Sequence, residues 1–200
     1  MRKLYSHPLS GPAHRVRMML SFLDLKYEEI TVDLLAGAQH TPEFRAMNPR
    51  GKVPILHDDD GTLIYDSHAI LVYLARKHGE EWFPNTPAEM GKIMQWISFS
   101  ANEIHQSLYM ARLNYLLNLN LPNIESIVEQ SRQCLDILDI HLSTRSWLEI
   151  DRPTIADVAC FPPISLSREG QLPLDNYKHV VKWIERVKAL PNYVSMIGLS

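Results

Sequence analysis

Two short segments contain residue types that could bind an anion. The first, residues 48–54, has the sequence NPRGKVP. Because Pro54 cannot donate a hydrogen bond to a sheet, it belongs at the edge or the start of a strand. In the second segment, Asp66 and Ser67 follow an extended run and open a helical one. The free N–H groups and the positive dipole of that helix start could hold a carboxylate, although both residues are also ordinary helix-capping types.

The cysteines and histidines argue against two other kinds of chemistry. The two cysteines, Cys134 and Cys160, belong to no CxxC motif and no zinc-type spacing. A disulfide framework and a structural zinc site are therefore not expected. The nine histidines show no HxxxH spacing, so no metal cofactor is expected either.

The first 78 residues alternate between extended and helical patterns, and they must position the two segments. We predict strands over residues 3–6, 27–32, 53–56 and 63–65, and helices over 13–25, 43–47 and 67–79. The first strand–helix–strand unit predicts parallel pairing with a right-handed crossover. The acidic turn at residues 58–61 predicts an antiparallel hairpin between the last two strands. A small α/β domain is therefore expected.

The remainder of the chain carries only helical patterns. Residues 79–87 contain two prolines and are predicted to be a linker. Apolar spacing predicts helices over residues 94–111, from Pro122 to 142, and over 177–190. Thr154 with Asp157 three residues later is typical of the capping box that begins a helix. We therefore expect residues 88–200 to form an all-helical domain.

Charge and hydropathy exclude two classes of partner. The chain has 200 residues and a net charge of −3, from 20 Lys and Arg against 23 Asp and Glu. This balance lacks the basic excess of a nucleic-acid-binding protein. No apolar run approaches the roughly 20 residues that span a bilayer, and residues 1–8 lack the apolar stretch of a signal peptide. We expect a cytoplasmic protein with no nucleic-acid or membrane partner.

Taken in this order and spacing, the Val53-Pro54 bend, the Asp66-Ser67 helix start and the capping box resemble the glutathione S-transferase superfamily. The resemblance covers the whole chain. It implies an α/β thioredoxin-like amino-terminal domain (1–78) followed by an all-α carboxy-terminal domain (88–200). It also implies a homodimer with a role in detoxification.

The resemblance further implies which residues contact glutathione. In the family, the residue equivalent to Pro54 is cis, and the backbone of Val53 pairs with the cysteinyl part of glutathione. The Ser67 hydroxyl and N–H hold the γ-glutamyl carboxylate, with Asp66 near the γ-glutamyl ammonium. Contacts with the glycyl end are expected from Lys52 and from Gln39 or His40.

The residue that activates the thiol is expected between residues 5 and 12. Alignment on Pro8 makes this segment similar to serine-type transferases, with Ser10 meeting the glutathione sulfur. A hydroxyl that donates a hydrogen bond to a thiolate favours the charged form and lowers the thiol pKa. Tyr5 is the alternative, because tyrosine-type members place a phenol on the first strand. The segment contains no cysteine, so the mixed-disulfide chemistry of cysteine-type relatives is not expected.

The resulting hypothesis is a glutathione transferase that directs a glutathione thiolate at a small hydrophobic electrophile. In family members, side chains of the first long helix face the electrophile. The candidates there are Phe99, Asn102, Glu103 and Gln106. Two alternatives remain open: a catalytically silent glutathione-binding or regulatory protein, and a glutathione-dependent peroxidase or thiol transferase.

Overall fold

A computed structural model describes residues 1–199 of the chain. Its strands are β1 (Lys3–Ser6), β2 (Glu28–Thr31), β3 (Ile55–His57) and β4 (Leu63–Tyr65). Its helices are α1 (Gly11–Phe22), α2 (Pro42–Met47), α3 (Ser67–His78), α4 (Pro87–Phe99), α5 (Met110–Leu117), α6 (Ile124–Leu142), α7 (Ile155–Ser165) and α8 (Lys178–Lys188). A π-helical segment, Ser100–Tyr109, joins α4 to α5 without a break. This arrangement confirms the expected fold class.

The four strands form one mixed sheet in the order β2-β1-β3-β4. Strand β1 pairs in parallel with β2, with Leu4 opposite Glu29. It pairs antiparallel with β3, where Leu4 lies opposite Leu56. Strands β3 and β4 form the predicted antiparallel hairpin. The two predicted strand pairings are therefore confirmed, and the structure adds the antiparallel pairing of β1 with β3.

Strand β3 begins two residues later than predicted, at Ile55 instead of Val53. The reason is Pro54, which lacks the N–H that a ladder residue donates, so regular pairing starts only after it. The Val53–Pro54 peptide bond is cis, as the resemblance implies. Helix α1 also ends earlier than predicted, at Phe22, because Asp24 adopts a positive φ of 51°.

The helical part packs directly on the sheet domain through α7. Helix α1 contacts both α3 and α7, and α3 also contacts α7. Thr154 and Asp157 form the predicted capping box at the start of α7. Asp157 accepts further hydrogen bonds from Trp183 Nε1 at 2.8 Å and from Leu148 N at 3.1 Å. Burial raises the pKa of Asp157 to about 6, although these donors oppose the shift.

Between residues 1 and 199, no helix is long and apolar enough to cross a membrane.

Candidate functional site

The loop before the cis peptide bond is held by a buried asparagine. Asn48 Nδ2 donates to the Lys52 carbonyl at 2.7 Å, and Asn48 Oδ1 accepts from Arg50 N at 3.0 Å. Gly51 turns the chain with a φ of +60°, and a Cβ there would lie 3.1 Å from the Gln39 carbonyl oxygen. This position therefore favours glycine. The two hydrogen bonds of Asn48 and the turn at Gly51 fix the approach of the chain to Val53.

The start of helix α3 faces this loop. Asp66 caps the helix with a φ of 78°, and its Oδ1 accepts from His68 N at 3.0 Å. Its Oδ2 accepts from Arg50 Nη1 at 3.3 Å. Burial alone would raise the carboxyl pKa, but the backbone N–H groups of His68 and Ala69 and the charge of Arg50 lower the pKa of Asp66 on balance. Asp66 therefore supplies a negative charge beside the helix N-terminus.

A buried arginine lies behind this helix start. The side chain of Arg15 is 3% exposed and donates to Ser67 Oγ at 3.2 Å, to Ser100 Oγ at 3.2 Å and to the Ala159 carbonyl at 2.7 Å. All three acceptors are neutral, and burial lowers the pKa of Arg15 to about 10. A buried cation without a paired anion is costly. Arg15 therefore favours a negative group near Ser67.

Arginine has no acceptor, so Ser67 Oγ must accept in its contact with Arg15. The hydrogen of the Ser67 hydroxyl remains available for a further acceptor. Ser67 is 5% exposed and is the first residue of α3, beside the positive end of the helix dipole. A carboxylate placed here would receive a charge-assisted hydrogen bond.

The acceptor for Arg15 on α7 exists because of a proline. In a regular helix, the N–H of Pro163 would bond to the Ala159 carbonyl, four residues earlier, but proline has no N–H. The freed carbonyl accepts from Arg15 and also from Ser100 Oγ at 2.9 Å. The Pro162-Pro163 pair inside an apolar helical pattern is the sequence signal that could have indicated this contact.

Ser10 caps helix α1. Its Oγ accepts from Ala13 N at 3.2 Å, which leaves its own hydrogen free to donate. Its side chain is half-buried, and helix α7 packs against the next residue, since a Cβ on Gly11 would lie 3.7 Å from Pro162 Cβ. Tyr5 lies elsewhere: it packs against the small cluster that contains Val32, Phe44 and Ile55.

The candidates for the glycyl end lie beside the loop that leads to Val53, since a Cβ on Gly51 would meet both Gln39 and His40. Gln39 Nε2 donates to the Leu34 carbonyl at 3.2 Å and contacts His40 Nε2 at 3.2 Å. The other ring nitrogen of His40 is 3.1 Å from Arg45 Nη2. Lys52 is exposed. These polar groups surround the loop that leads to Val53.

Of the four candidates on the long helix, Phe99 is the last residue of α4, and Asn102, Glu103 and Gln106 belong to the π-helical segment. Asn102, Glu103 and Gln106 are exposed, and Phe99 packs edge-on against Trp96 with ring centroids 5.6 Å apart.

Two other residues of the π-helical segment face the sheet domain, and sequence reasoning missed both. The rings of His105 and Tyr109 stack with centroids 4.6 Å apart. Burial lowers the pKa of His105, and the charges of Arg15, Lys52 and Arg50 lower it further. Arg15, Lys52 and Arg50 lie in the sheet domain, so their effect indicates that His105 lies near this domain. The wider turn of a π-helix changes which side chains face the sheet domain, and a search for a 3.6-residue period does not detect this change.

The candidate site therefore consists of a backbone edge at Val53, next to the cis peptide bond, an anion-favouring helix start at Ser67 and a free hydroxyl at Ser10. His68 is neutral here, because burial and then the charge of Arg15 lower its pKa to about 3. Within residues 1–199, no group of three or more His, Cys, Asp or Glu is arranged to hold a metal ion. The candidate site is suited to an extended ligand that carries a carboxylate.

Comparisons with known proteins show that both parts of the chain are similar to glutathione S-transferases. Residues 10–77 match the family described as "Glutathione S-transferase, N-terminal domain", and residues 122–191 match "Glutathione S-transferase, C-terminal domain". Glutathione S-transferase 3 of Zea mays is 31% identical, covering 98% of this chain and 93% of that protein. Disulfide-bond oxidoreductase YfcG of Escherichia coli is 29% identical, covering 96% and 92%. A solved structure of a glutathione transferase family member from Pseudomonas fluorescens, with two glutathione bound, has a TM-score of 0.83 at 29% identity, covering 96% of this chain and 89% of that chain.

Proposed function

The chain belongs to the glutathione S-transferase superfamily, and from this premise we propose that it binds glutathione and transfers it to a small hydrophobic electrophile. The observation that carries the proposal is the contact between Arg15 and Ser67. It couples a buried cation, whose hydrogen-bond acceptors within residues 1–199 are all neutral, to a hydroxyl at a helix N-terminus. A γ-glutamyl carboxylate on Ser67 would supply the missing negative charge, while Asp66 would accept from the γ-glutamyl ammonium.

The remaining parts of glutathione would then lie along the loop that leads to Val53. The backbone of Val53, next to the cis peptide bond, would pair with the cysteinyl part. Lys52, and Gln39 or His40, would contact the glycyl carboxylate, because their polar groups lie around the same loop. The cysteinyl sulfur would point toward the start of helix α1, where Ser10 offers a hydrogen.

Ser10 would act on the sulfur by stabilising its charge. The thiol loses its proton to solvent, and the Ser10 hydroxyl donates a hydrogen bond to the thiolate, which lowers the thiol pKa. The thiolate then attacks the electrophilic carbon: a C–S bond forms, and the leaving group departs with its electron pair. Ser10 is favoured over Tyr5 because its free hydrogen lies at a helix start, beside N–H groups that also favour negative charge.

The electrophile would lie against the π-helical segment. The stacked faces of His105 and Tyr109 offer an apolar aromatic wall there. Phe99, Asn102, Glu103 and Gln106 remain candidates for the outer part of this wall. A homodimer, a cytoplasmic location and a role in detoxification are also part of the proposal, and family membership is their support.

The experiment is a glutathione titration by calorimetry, followed by a rate assay with a panel of aryl and alkyl electrophiles. We expect saturable binding, ultraviolet absorbance of a bound thiolate at neutral pH, and conjugation that depends on enzyme concentration. Binding with an unperturbed thiol pKa and no conjugation would leave the silent-binding alternative in place. Absence of glutathione binding would refute the proposal.

A second candidate is glutathione-dependent disulfide reduction, favoured by the similarity to Disulfide-bond oxidoreductase YfcG. Both cysteines of this chain are buried, and burial raises the pKa of Cys160 well above its usual range. Any such activity would therefore use glutathione sulfur alone. Reduction of a small model disulfide by glutathione tests for this activity. Its persistence in a Cys134→Ala, Cys160→Ala variant would show that the cysteines of the chain take no part.

A further inference from the structure

Two buried arginines hold the loop that precedes Ser10. Arg17 donates to the Pro8 carbonyl at 3.3 Å and approaches the His7 carbonyl at 3.4 Å. Arg112 Nη1 donates to the Leu9 carbonyl at 2.9 Å. Three consecutive carbonyls are therefore bound by guanidinium groups, one from the sheet domain and one from the helical domain.

Arg112 belongs to helix α5 and is 1% exposed. Its Nε lies 2.6 Å from Glu169 Oε2, in the short helical turn Ser167–Gly170. This turn lies directly against α5, because a Cβ on Gly170 would be 3.0 Å from Arg112 N. Glu169 thus orients the guanidinium from one side, while the Leu9 carbonyl occupies the other.

The Leu9 carbonyl and the Ser10 N–H belong to one planar peptide group. Arg112 holds the carbonyl end of that group, and the N–H end donates to the His7 carbonyl at 2.9 Å. A planar unit held at both ends has little freedom to tilt. The direction in which Ser10 presents its side chain is set by this plane, together with the bond from Ala13 N.

We propose that Arg112, oriented by Glu169, is a positioning residue for the Ser10 hydroxyl, which it reaches through the Leu9 carbonyl. The inference rests on the proposed function, since it assigns Arg112 a role in thiol activation. Arg112 touches neither glutathione nor the electrophile in this role. Arginine suits it because its planar fork donates in two fixed directions at once, which the single ammonium of lysine does not do.

The test compares Arg112→Met with Arg2→Met, a control of similar burial and charge. Arg2 is also buried, and its Nε lies 2.6 Å from Asp58 Oδ1, but none of its recorded contacts involves residues 7–10. Each full-length variant is assayed for the pKa of bound glutathione, for kcat, for KM toward glutathione, and for unfolding. Both variants are expected to lose stability.

Only Arg112→Met is expected to raise the bound thiol pKa, by about one unit, which lowers kcat by up to about tenfold at pH values below the wild-type thiol pKa. Glutathione affinity should stay within about twofold, because the groups that bind its charged ends are untouched. At high pH, where the thiol is ionised without help, the kcat of Arg112→Met should approach the wild-type value. Arg112→Lys should restore the thiol pKa only in part.

Four outcomes overturn the inference or its premise separately. If folded Arg112→Met has the thiol pKa of the wild type, the positioning role is wrong. In a Ser10→Ala background, a further pKa shift from Arg112→Met would also refute it, because Arg112 would then act on the sulfur without Ser10. If Arg112→Met does not fold, Glu169→Gln replaces it, and an unchanged pKa there refutes the role. A wild-type protein without a lowered thiol pKa refutes the proposed function itself.

Discussion

The contact between Arg15 and Ser67 makes the Ser67→Ala variant the sharpest test of the glutathione site. The substitution removes a hydroxyl that accepts from Arg15 at 3.2 Å and would donate to the γ-glutamyl carboxylate. A hydrogen bond to a charged group contributes about 1.5–3 kcal/mol. Since about 1.4 kcal/mol corresponds to a tenfold change in Kd, affinity for glutathione should fall by about 10- to 100-fold.

The structure offers a control in Ser100→Ala, which also removes the hydrogen bond from Ser100 Oγ to the Ala159 carbonyl. Ser100 Oγ accepts from the same guanidinium at the same distance, 3.2 Å, but it lies on the helical domain side of Arg15. Each variant leaves one N–H of Arg15 without its acceptor, so each should lose about 1–3 kcal/mol of unfolding free energy. Ser67→Ala should lose more affinity for glutathione than Ser100→Ala, because only Ser67 would also contact the γ-glutamyl carboxylate.

The assay is calorimetric titration with glutathione and with an analogue that lacks the γ-glutamyl carboxylate. Ser67→Ala should weaken glutathione binding strongly and change binding of the analogue little, because the analogue has nothing to accept the Ser67 hydrogen. Equal affinities of Ser67→Ala and wild type would refute the assignment. Equal losses in Ser67→Ala and Ser100→Ala would show that the effect passes through Arg15 alone.

Three other predictions concern the sulfur, the assembly and acid stability. Ser10→Ala should raise the thiol pKa of bound glutathione and slow conjugation at neutral pH, while glutathione affinity changes little. Tyr5→Phe should have a much smaller effect. The reverse pattern in pH–rate profiles would assign thiol activation to Tyr5. Light scattering at micromolar concentration should give about twice the chain mass of 23.0 kDa, and a 23.0 kDa species would reject the homodimer. Burial opposes ionisation of Asp58, but hydrogen bonds from Lys77 and Tyr73 lower its pKa well below the ordinary 3.8. A pKa that is lower in the folded state stabilises the fold at pH values above the pKa of the unfolded state, so Asp58→Asn should be destabilised at neutral pH. Urea titrations should show that the stability difference between wild type and variant shrinks as the pH falls below about 4.

The elements of the fold were largely predictable because their signals are local. Helix α3 begins at Ser67 and ends before Gly79, where the capping types and the glycine place its limits. The capping box at Thr154 was visible as a spacing of three residues. Such signals act within about one helical turn, so the order of the residues is enough to find them.

The limits of elements shifted where backbone chemistry overrode the apolar pattern. Strand β3 starts at Ile55 because Pro54 has no N–H, and α6 begins at Ile124, after a turn in which Ile124 N donates to the Leu121 carbonyl. Side-chain periodicity reports which face is buried, and it does not report where backbone hydrogen bonding begins.

The sequence by itself determined the order of strands and helices, the bend at Pro54, the helix starts at Asp66 and Thr154, and the hydroxyl at Ser10. Only the tertiary structure decided which groups surround that hydroxyl and the helix start. Arg15 meets Ser67 across 52 residues of chain, and Arg112 meets the Leu9 carbonyl across 103. These contacts depend on how α1, α5 and α7 pack together, and helical periodicity carries no information about the partner that a buried arginine will find. The charges of the site are therefore a product of packing between domains, whereas its backbone is a product of local sequence.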